Sequence, residues 1–120
     1  MINYHILFCT RYRRKIFLID GVEARTKELA CQICARNEFL LLDVNCQADY
    51  CHLHINVPPT TSAGEAVRVF KNGIAEALLK EFPAFERTQN LWTRDFYATT
   101  SPRPNKAEIE RFLNLQKTQS

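Results

Sequence analysis

The segment FLLLDVNCQADYCHLHINV, residues 39–57, decides the fold because it contains two strand patterns in direct succession. Its first part, residues 39–46, is a mostly apolar run of strand length. Its second part, residues 50–57, alternates strictly, so that His52 and His54 share one face and the apolar residues between them share the other. Two prolines follow and end the second strand. We therefore expect two adjacent strands in the middle of the chain.

Helical patterns flank these two strands on both sides. The preceding helix is predicted over residues 21–36, with Asp20 as its cap. The following helix is predicted to begin after Ser62, with Glu65 as its capping-box partner, and to run to about residue 81. The remaining predicted elements are two strands and a last helix: residues 2–9, residues 91–100, and a helix that begins after Asn105.

The predicted order is βαββαβ followed by a helix. This order is typical of the ferredoxin-like α+β fold, in which one antiparallel sheet carries two helices on one face. A chain of 120 residues with 46% apolar residues can bury a core without disulfides, so we expect a single domain over residues 1–120. The fold supports many functions, and function has to be argued from specific residues.

A basic turn, RYRRK, follows the first predicted strand. It holds four of the sixteen basic residues together with an aromatic ring: Arg11, Tyr12, Arg13, Arg14 and Lys15. This mixture is typical of surfaces that contact phosphate and base together, and the net charge of +3 has the matching sign. The alternative is a solvated, charged turn. The turn therefore favours a nucleic-acid partner without establishing one.

The cysteines bear on the cellular compartment. They are five, an odd number, and no signal peptide precedes them, which favours a reducing cytoplasm with free, mostly buried thiols. Cys31 and Cys34 form a CxxC in a predicted helix, where core packing is favoured over zinc or redox chemistry. No run of about eighteen apolar residues occurs, so we expect no membrane span.

Three blocks of sequence carry a family resemblance: YHILFCTRYRRK (residues 4–15), VNCQADYCH (residues 44–52) and LWTRDFYATT (residues 91–100). In this order and spacing they resemble the single-tyrosine HUH transposases of small bacterial insertion sequences, which include the REP-associated tyrosine transposases. The corresponding family patterns are Y-H-hydrophobic-V-F-x-T-K-Y-R-R-K, V-N-x-x-P-D-H-V-H and L-W-S-R-G-Y-F-V-A-T. The blocks together span nearly the whole chain.

The resemblance implies a mechanism and partners. In the family, a His-hydrophobic-His pair and a glutamine of the last helix hold magnesium or manganese, which polarises the scissile phosphate. A tyrosine one helical turn before the glutamine attacks the DNA and becomes covalently joined to it. The partner is single-stranded DNA that forms a hairpin, and the protein is a homodimer. A first strand that is apolar on both faces also favours a homodimer here.

The sequence departs from the family pattern at the metal block. Aligned through VNCQAD, the family's second histidine falls on His52 and its first on Tyr50. A neutral phenol coordinates metal more weakly than an imidazole. His54 is an additional histidine on the same face, so His52 and His54 repeat the motif at a position shifted by roughly 6.6 Å. The metal ligands that the resemblance implies are therefore His52, His54 and Gln116, with weak binding expected.

A second departure lies in the last helix. Aligned from Trp92, the glutamine position holds Gln116, but the tyrosine position holds Phe112, which lacks the oxygen that attacks DNA. DNA contacts are implied for the RYRRK turn, Trp92 and Arg94. For Trp92, a core tryptophan at the start of a strand is the alternative.

The leading hypothesis is therefore a transposase-family protein that binds structured DNA and has lost cleavage. An active transposase that uses the shifted histidine pair and another nucleophile is the first alternative. A ferredoxin-like RNA-binding module is the second, although no aromatic RNP1 pattern occurs. A metal-independent interaction domain whose basic turn contacts an acidic partner is the third.

Overall fold

A computed structural model describes residues 1–116, which form one antiparallel sheet and three helices. The elements follow the predicted order: β1 (Ile2–Cys9), α1 (Val22–Asn37), β2 (Leu40–Cys46), β3 (Tyr50–Val57), α2 (Ala63–Glu81), β4 (Tyr97–Thr99) and α3 (Lys106–Gln116). The ferredoxin-like α+β fold with an additional C-terminal helix is confirmed.

The sheet has the strand order β2-β3-β1-β4, so β1 and β3 are its central strands. Strict alternation along β3 places Leu53 and Ile55 in the core, where both are fully buried. Each such side chain contributes about 1.5–3 kcal/mol when it leaves water. The same alternation turns His52 and His54 towards the opposite face of the sheet, where both are half-buried.

The N-termini of the three helices can be compared with the predicted caps. The capping box of α2 is confirmed, because the Ser62 side chain accepts from the Glu65 N–H and the Glu65 carboxylate accepts from the Ser62 N–H. The Asn105 side chain likewise accepts from two N–H groups at the start of α3. The prediction of Asp20 as the cap of α1 was wrong. Gly21 occupies that position with a φ of +85°, a left-handed conformation that favours glycine.

The predicted strand over residues 91–100 was too long. Only Tyr97–Thr99 pair with β1, and Thr10 and Trp92 form an isolated bridge. Between them, the Lys71 ammonium donates to the carbonyls of Thr93 and Asp95, at 2.8 and 3.0 Å. A side chain of α2 thus satisfies backbone groups that a neighbouring strand would otherwise pair.

The cysteines agree in part with the sequence. All five are free thiols, and four are buried. Cys34 packs in the core, as predicted, but Cys31 is exposed. No helix among residues 1–116 has the length and apolar character needed to cross a bilayer.

Candidate functional site: the histidine face and the basic cleft

The first polar region lies on the open face of the sheet, and we call it the histidine face: Asn3, His5, His52 and His54. The register places His5 of β1 directly opposite His54 of β3. Nδ1 of His5 lies 3.1 Å from Nε2 of His52. The His5 and His54 rings stack with centroids 3.9 Å apart, and Nε2 of His54 bonds Oδ1 of Asn3 at 3.0 Å. The sequence predicted the pair on β3 but missed His5, which completes the cluster.

The electrostatics of this face favour uncharged imidazoles at His5 and His52. Burial lowers the pKa of His5, and the neighbouring charges of His54 and His52 lower it further. Burial also lowers the pKa of His52, against an opposing effect of Asp43. The Pro102 carbonyl raises the pKa of His5 slightly, yet Nε2 of His5 has no hydrogen-bond partner of normal geometry within residues 1–116. When both rings are neutral, one of them donates its N–H to the unprotonated nitrogen of the other.

The metal ligands implied by the family resemblance are already engaged with other side chains. Nε2 of His52 is shared with His5, and Oε1 of the buried Gln116 accepts from the Thr93 hydroxyl. Burial raises the pKa of the phenol of Tyr50, the residue that the resemblance aligns with the first family histidine, and this disfavours the phenolate as a ligand. Within residues 1–116, no three histidine, cysteine or acidic side chains are grouped as a metal site requires. The residues present therefore do not fit a bound magnesium or manganese ion without rearrangement.

The last helix places Phe112 and Gln116 on one side, as the spacing predicted. Both line a shallow cavity of about 270 Å³ together with Arg94. The ring of Phe112 lies 6.3 Å from that of Tyr97, and the Tyr97 hydroxyl donates to Oε2 of Glu108 at 3.3 Å. The phenol in ring contact with Phe112 is therefore on β4.

The basic turn divides into residues that face inward and residues that face outward. Arg13 faces inward, where its Nε donates to Oδ2 of Asp49 and its Nη1 to the Leu113 carbonyl, both at 2.7 Å. Arg14 and Lys15 are exposed, and Nη1 of Arg14 donates to the Thr88 hydroxyl at 3.0 Å. Arg13 thus joins the turn to α3, while its neighbours stay available to a ligand.

Arg11, Tyr12 and Arg14 of the basic turn form one wall of a second polar region, which we call the basic cleft. Its outer part has a volume of about 470 Å³ and includes Arg11, Tyr12, Arg14, Arg87, Gln89 and Asn90. Its inner part has a volume of about 650 Å³ and includes Arg11, Lys71, Asn72, Gln89, Asn90 and Arg94. The two parts share Arg11, Gln89 and Asn90, so they are continuous. Arg87, Gln89 and Asn90 lie in a loop that the sequence analysis did not identify as a binding segment.

Trp92 is a core residue, which was the alternative to a DNA contact. It is 9% exposed, its ring meets Phe8 edge-on at 4.8 Å, and its Nε1 donates to the Lys71 carbonyl at 3.0 Å. It therefore packs in the core and contributes only an edge to the cleft. Arg94 is exposed and lies at the inner end of the cleft.

Comparison with known proteins places this arrangement in a family. Residues 1–116 match the family model described as "Transposase IS200 like". The transposase of insertion sequence element IS200 from Salmonella typhimurium strain LT2 is 26% identical over 117 residues, which cover 95% of this chain and 76% of the relative. The corresponding transposase of Salmonella typhi matches with the same values.

Two solved structures share the fold. A candidate transposase from Deinococcus radiodurans R1 superposes with a TM-score of 0.86 at 24% identity, covering 96% of this chain and 90% of the other. A REP-associated tyrosine transposase solved with a REP hairpin superposes with a TM-score of 0.61 at 12% identity, covering 92% and 61%. These likenesses support the fold, and the sequence match over residues 1–116 establishes the family. The chain belongs to the IS200-like transposase family.

Proposed function

We propose that this protein binds hairpin-forming single-stranded DNA and no longer cleaves it through a tyrosine of the last helix. Family membership supports DNA as the partner. The related fold solved with a REP hairpin supports a hairpin as the form of that DNA. The basic cleft supplies the positive charge that such a ligand requires.

The observation that carries the loss of cleavage is the residue at the nucleophile position. Phe112 has the shape of a tyrosine and lines the same cavity as Gln116, but it has no oxygen to attack phosphorus. The metal ligands support the same proposal, since the resemblance aligns Tyr50 with the first family histidine and His52 bonds His5. We propose that magnesium or manganese binds weakly and that DNA binding does not depend on it.

A denaturing gel tests this function. The protein is incubated with manganese and a labelled single-stranded DNA that forms a hairpin with flanking tails, and is then separated in detergent. We expect binding under native conditions and no covalent protein–DNA band. A covalent band would overturn the proposed loss of cleavage. Preference for an RNA hairpin of the same sequence would instead favour the RNA-binding alternative.

One contact favours a second candidate function, which is cleavage with Tyr97 as the nucleophile. The Tyr97 hydroxyl donates to Glu108, so that carboxylate could accept the proton as Oη attacks phosphorus. The bond from phosphorus to the 3′ oxygen then breaks, and that oxygen takes a proton from water and leaves as a 3′ hydroxyl. However, burial raises the pKa of Tyr97, and the Glu108 charge raises it further, which disfavours the phenolate. A covalent band that disappears in Tyr97→Phe would establish this candidate.

The homodimer remains part of the proposal. The apolar character of β1 no longer argues for it, because Ile6, Leu7, Phe8 and Cys9 are buried within the protomer. β2 is the better candidate, since it is an edge strand of the sheet and the side chains of Leu40 and Leu42 are 51% and 45% exposed. Light scattering should give about twice 14.0 kDa, and Leu42→Lys should shift the particle towards one chain.

A further inference from the structure

We propose that Cys46 and Cys51 form a redox modification site, in which a peroxide converts the two thiols into a reversible disulfide between β2 and β3. The proposal concerns a part of the sheet that the DNA-binding function does not use, and it stands or falls independently of that function.

The two cysteines are direct cross-strand partners. β2 and β3 are antiparallel, and their register places Cys46 opposite Cys51, with the two Sγ atoms 3.9 Å apart. The Gln47 N–H donates to the Tyr50 carbonyl at 3.0 Å, so those two residues form the hydrogen-bonded pair next to the turn. Because such pairs alternate along an antiparallel ladder, the cysteines form a non-hydrogen-bonded pair, in which the side chains lie closest together.

The positions of the two residues suit a disulfide. The Cα atoms of a non-hydrogen-bonded antiparallel pair are about 4.5 Å apart, and disulfides span Cα separations of about 4.4–6.8 Å. A bond of about 2.05 Å requires the two sulfur atoms to approach by roughly 1.9 Å from their present 3.9 Å. Rotation of each side chain about its Cα–Cβ bond supplies a displacement of about 1 Å per sulfur. The strands can therefore keep their register when the bond forms.

The other three thiols are placed differently. Cys9 lies on β1 next to Phe8, and Phe8 is the residue opposite Cys51, so strand alternation turns Cys9 towards the other face of the sheet. Cys31 and Cys34 lie on α1, where Cys31 is exposed and Cys34 is buried. The strand register thus distinguishes the Cys46–Cys51 pair from the remaining thiols.

Cys46 is the sulfur that a small oxidant reaches first. Its side chain is 9% exposed, whereas Cys51 is fully buried. A hydrogen bond from the Cys51 thiol lowers the pKa of Cys46, against the opposing effect of burial. The thiolate is the form of cysteine that reacts with peroxide. We therefore assign Cys46 as the attacking sulfur and Cys51 as the resolving thiol.

The reaction balances with hydrogen peroxide as the oxidant. The Cys46 thiolate attacks one peroxide oxygen, the O–O bond breaks and hydroxide leaves, so that Cys46 becomes a sulfenic acid. The Cys51 sulfur then attacks the Cys46 sulfur, the S–O bond breaks, and the leaving hydroxide takes the Cys51 proton and forms water. In total, two thiols lose two electrons and two protons, and one peroxide becomes two water molecules. A dithiol reverses the modification by thiol–disulfide exchange.

The disulfide would close the hairpin that anchors the basic turn. The Asp49 carbonyl accepts from the N–H and the hydroxyl of Thr10, at 3.0 and 3.1 Å, and the Asp49 carboxylate accepts from Arg13. The neighbouring Ala48 carbonyl accepts from the Phe17 N–H at 3.1 Å. A covalent link at the base of this hairpin restricts the unfolded chain, so we expect oxidation to stabilise the anchor.

Trypsin isolates the pair in one peptide. No lysine or arginine occurs in residues 37–67, so cleavage releases residues 37–68 with Cys46 and Cys51 as their only cysteines. Cleavage also releases residues 28–36, which contain Cys31 and Cys34 and serve as the internal control. The control pair is closer in the sequence than the proposed pair.

The folded wild-type protein is treated with hydrogen peroxide, and catalase then removes the excess. Free thiols are alkylated with N-ethylmaleimide in denaturant before digestion and mass spectrometry. A second sample is reduced with dithiothreitol before alkylation. The urea midpoint is measured before and after oxidation for the wild-type protein, for Cys46→Ala and for Cys34→Ala, which removes another buried thiol.

After oxidation we expect residues 37–68 to be two hydrogens lighter and to carry no maleimide, and after reduction to carry two maleimides. Residues 28–36 should keep both labels. Oxidation should raise the urea midpoint by about 1 M in the wild-type protein and in Cys34→Ala, and should leave it unchanged in Cys46→Ala.

The labels on the wild-type peptides decide the proposal even if a variant fails to fold. Two maleimides on residues 37–68 after oxidation would overturn it. Equal loss of labels from residues 28–36 would mean that proximity in the sequence, and not the strand register, selects the pair. A sulfinic or sulfonic acid at Cys46 without a disulfide would refute the role of Cys51. A disulfide with no rise in the urea midpoint would refute the stabilisation of the hairpin.

Discussion

The histidine face and the basic cleft are both rich in polar side chains, but they differ in what those side chains bond. On the histidine face, His5 bonds His52 and stacks on His54, which in turn bonds Asn3. In the cleft, the Arg11 Nε has no partner within residues 1–116 and two amides face solvent. The histidine face has an equivalent buried nitrogen, Nε2 of His5, so what distinguishes the cleft is its set of exposed cations and amides, which suit an anionic ligand. The cleft is thus the better candidate for the DNA-binding site, although the family resemblance implies a site at the histidines.

The largest expected effect is the loss of DNA binding when the charge of the cleft is reversed. Arg14→Glu/Arg87→Glu changes two exposed cations and should weaken hairpin binding by at least about 100-fold at moderate salt, since two phosphate contacts become repulsive. Lys27→Glu/Arg36→Glu makes the same change of charge on α1 and should have a much smaller effect. Equal losses in the two variants would mean that net charge alone decides affinity.

Arg13 and Arg14 provide a second test, because adjacent arginines face opposite ways. Arg13→Ala leaves Asp49, whose side chain is 15% exposed, without its cation and should lower the free energy of unfolding by about 1–3 kcal/mol. Arg14→Ala should lower it by less than about 0.5 kcal/mol. Urea unfolding measures both values.

The salt dependence of DNA binding should show the reverse order for the same two variants. Arg14→Ala should reduce the slope of log affinity against log salt by about one unit, and Arg13→Ala should leave it unchanged. A reduced slope in Arg13→Ala would return that residue to the DNA interface.

The histidine face can be tested by restoring the family residues. Tyr50→His with Phe112→Tyr should strengthen manganese binding by about tenfold, because a stronger ligand returns to the aligned position. Calorimetry measures this change. Either substitution alone should do little for strand cleavage, since one supplies a metal ligand and the other the nucleophile. Tight manganese binding by the unmodified protein would show that His52 and His54 already form a working pair.

The smallest expected effect is on the pH dependence of stability. The folded state lowers the pKa of His5 and His52 below the ordinary value of 6.5, so the unfolded state binds more protons in that range. Their contribution to stability is present above 6.5 and is lost as the pH falls through the lowered values. Urea midpoints at about pH 7.5 and about pH 5 should differ less in His5→Gln/His52→Gln than in the wild-type protein. An equal difference between the two urea midpoints in the variant and in the wild-type protein would show that His5 and His52 do not cause the pH dependence of stability.

The sequence predicted the parts of the fold that depend on local signals. Alternation gave the bounds of β3, and the Ser62–Glu65 capping box gave the start of α2. The fourth strand was overestimated because its pattern does not reveal that Lys71, from another element, bonds the carbonyls of Thr93 and Asp95. Likewise, the N-cap position of α1 is occupied by Gly21 and not by the predicted Asp20.

The candidate site was less accessible to sequence reasoning. The face of His52 follows from strand parity, but its contact with His5 depends on the register between β1 and β3, which no local pattern encodes. The inward orientation of the Arg13 side chain depends on its ion pair with Asp49. The cleft is lined both by the basic turn and by the loop around Gln89, which are far apart in the sequence.

The most direct test of the central claim is the affinity for a tailed hairpin with and without metal. Anisotropy titrations are carried out in excess chelator and in manganese with the same protein preparation. If the basic cleft binds the DNA and the histidine face takes no part, the two dissociation constants should agree within about twofold. Binding that appears only with manganese would contradict the account and return the binding site to the histidines.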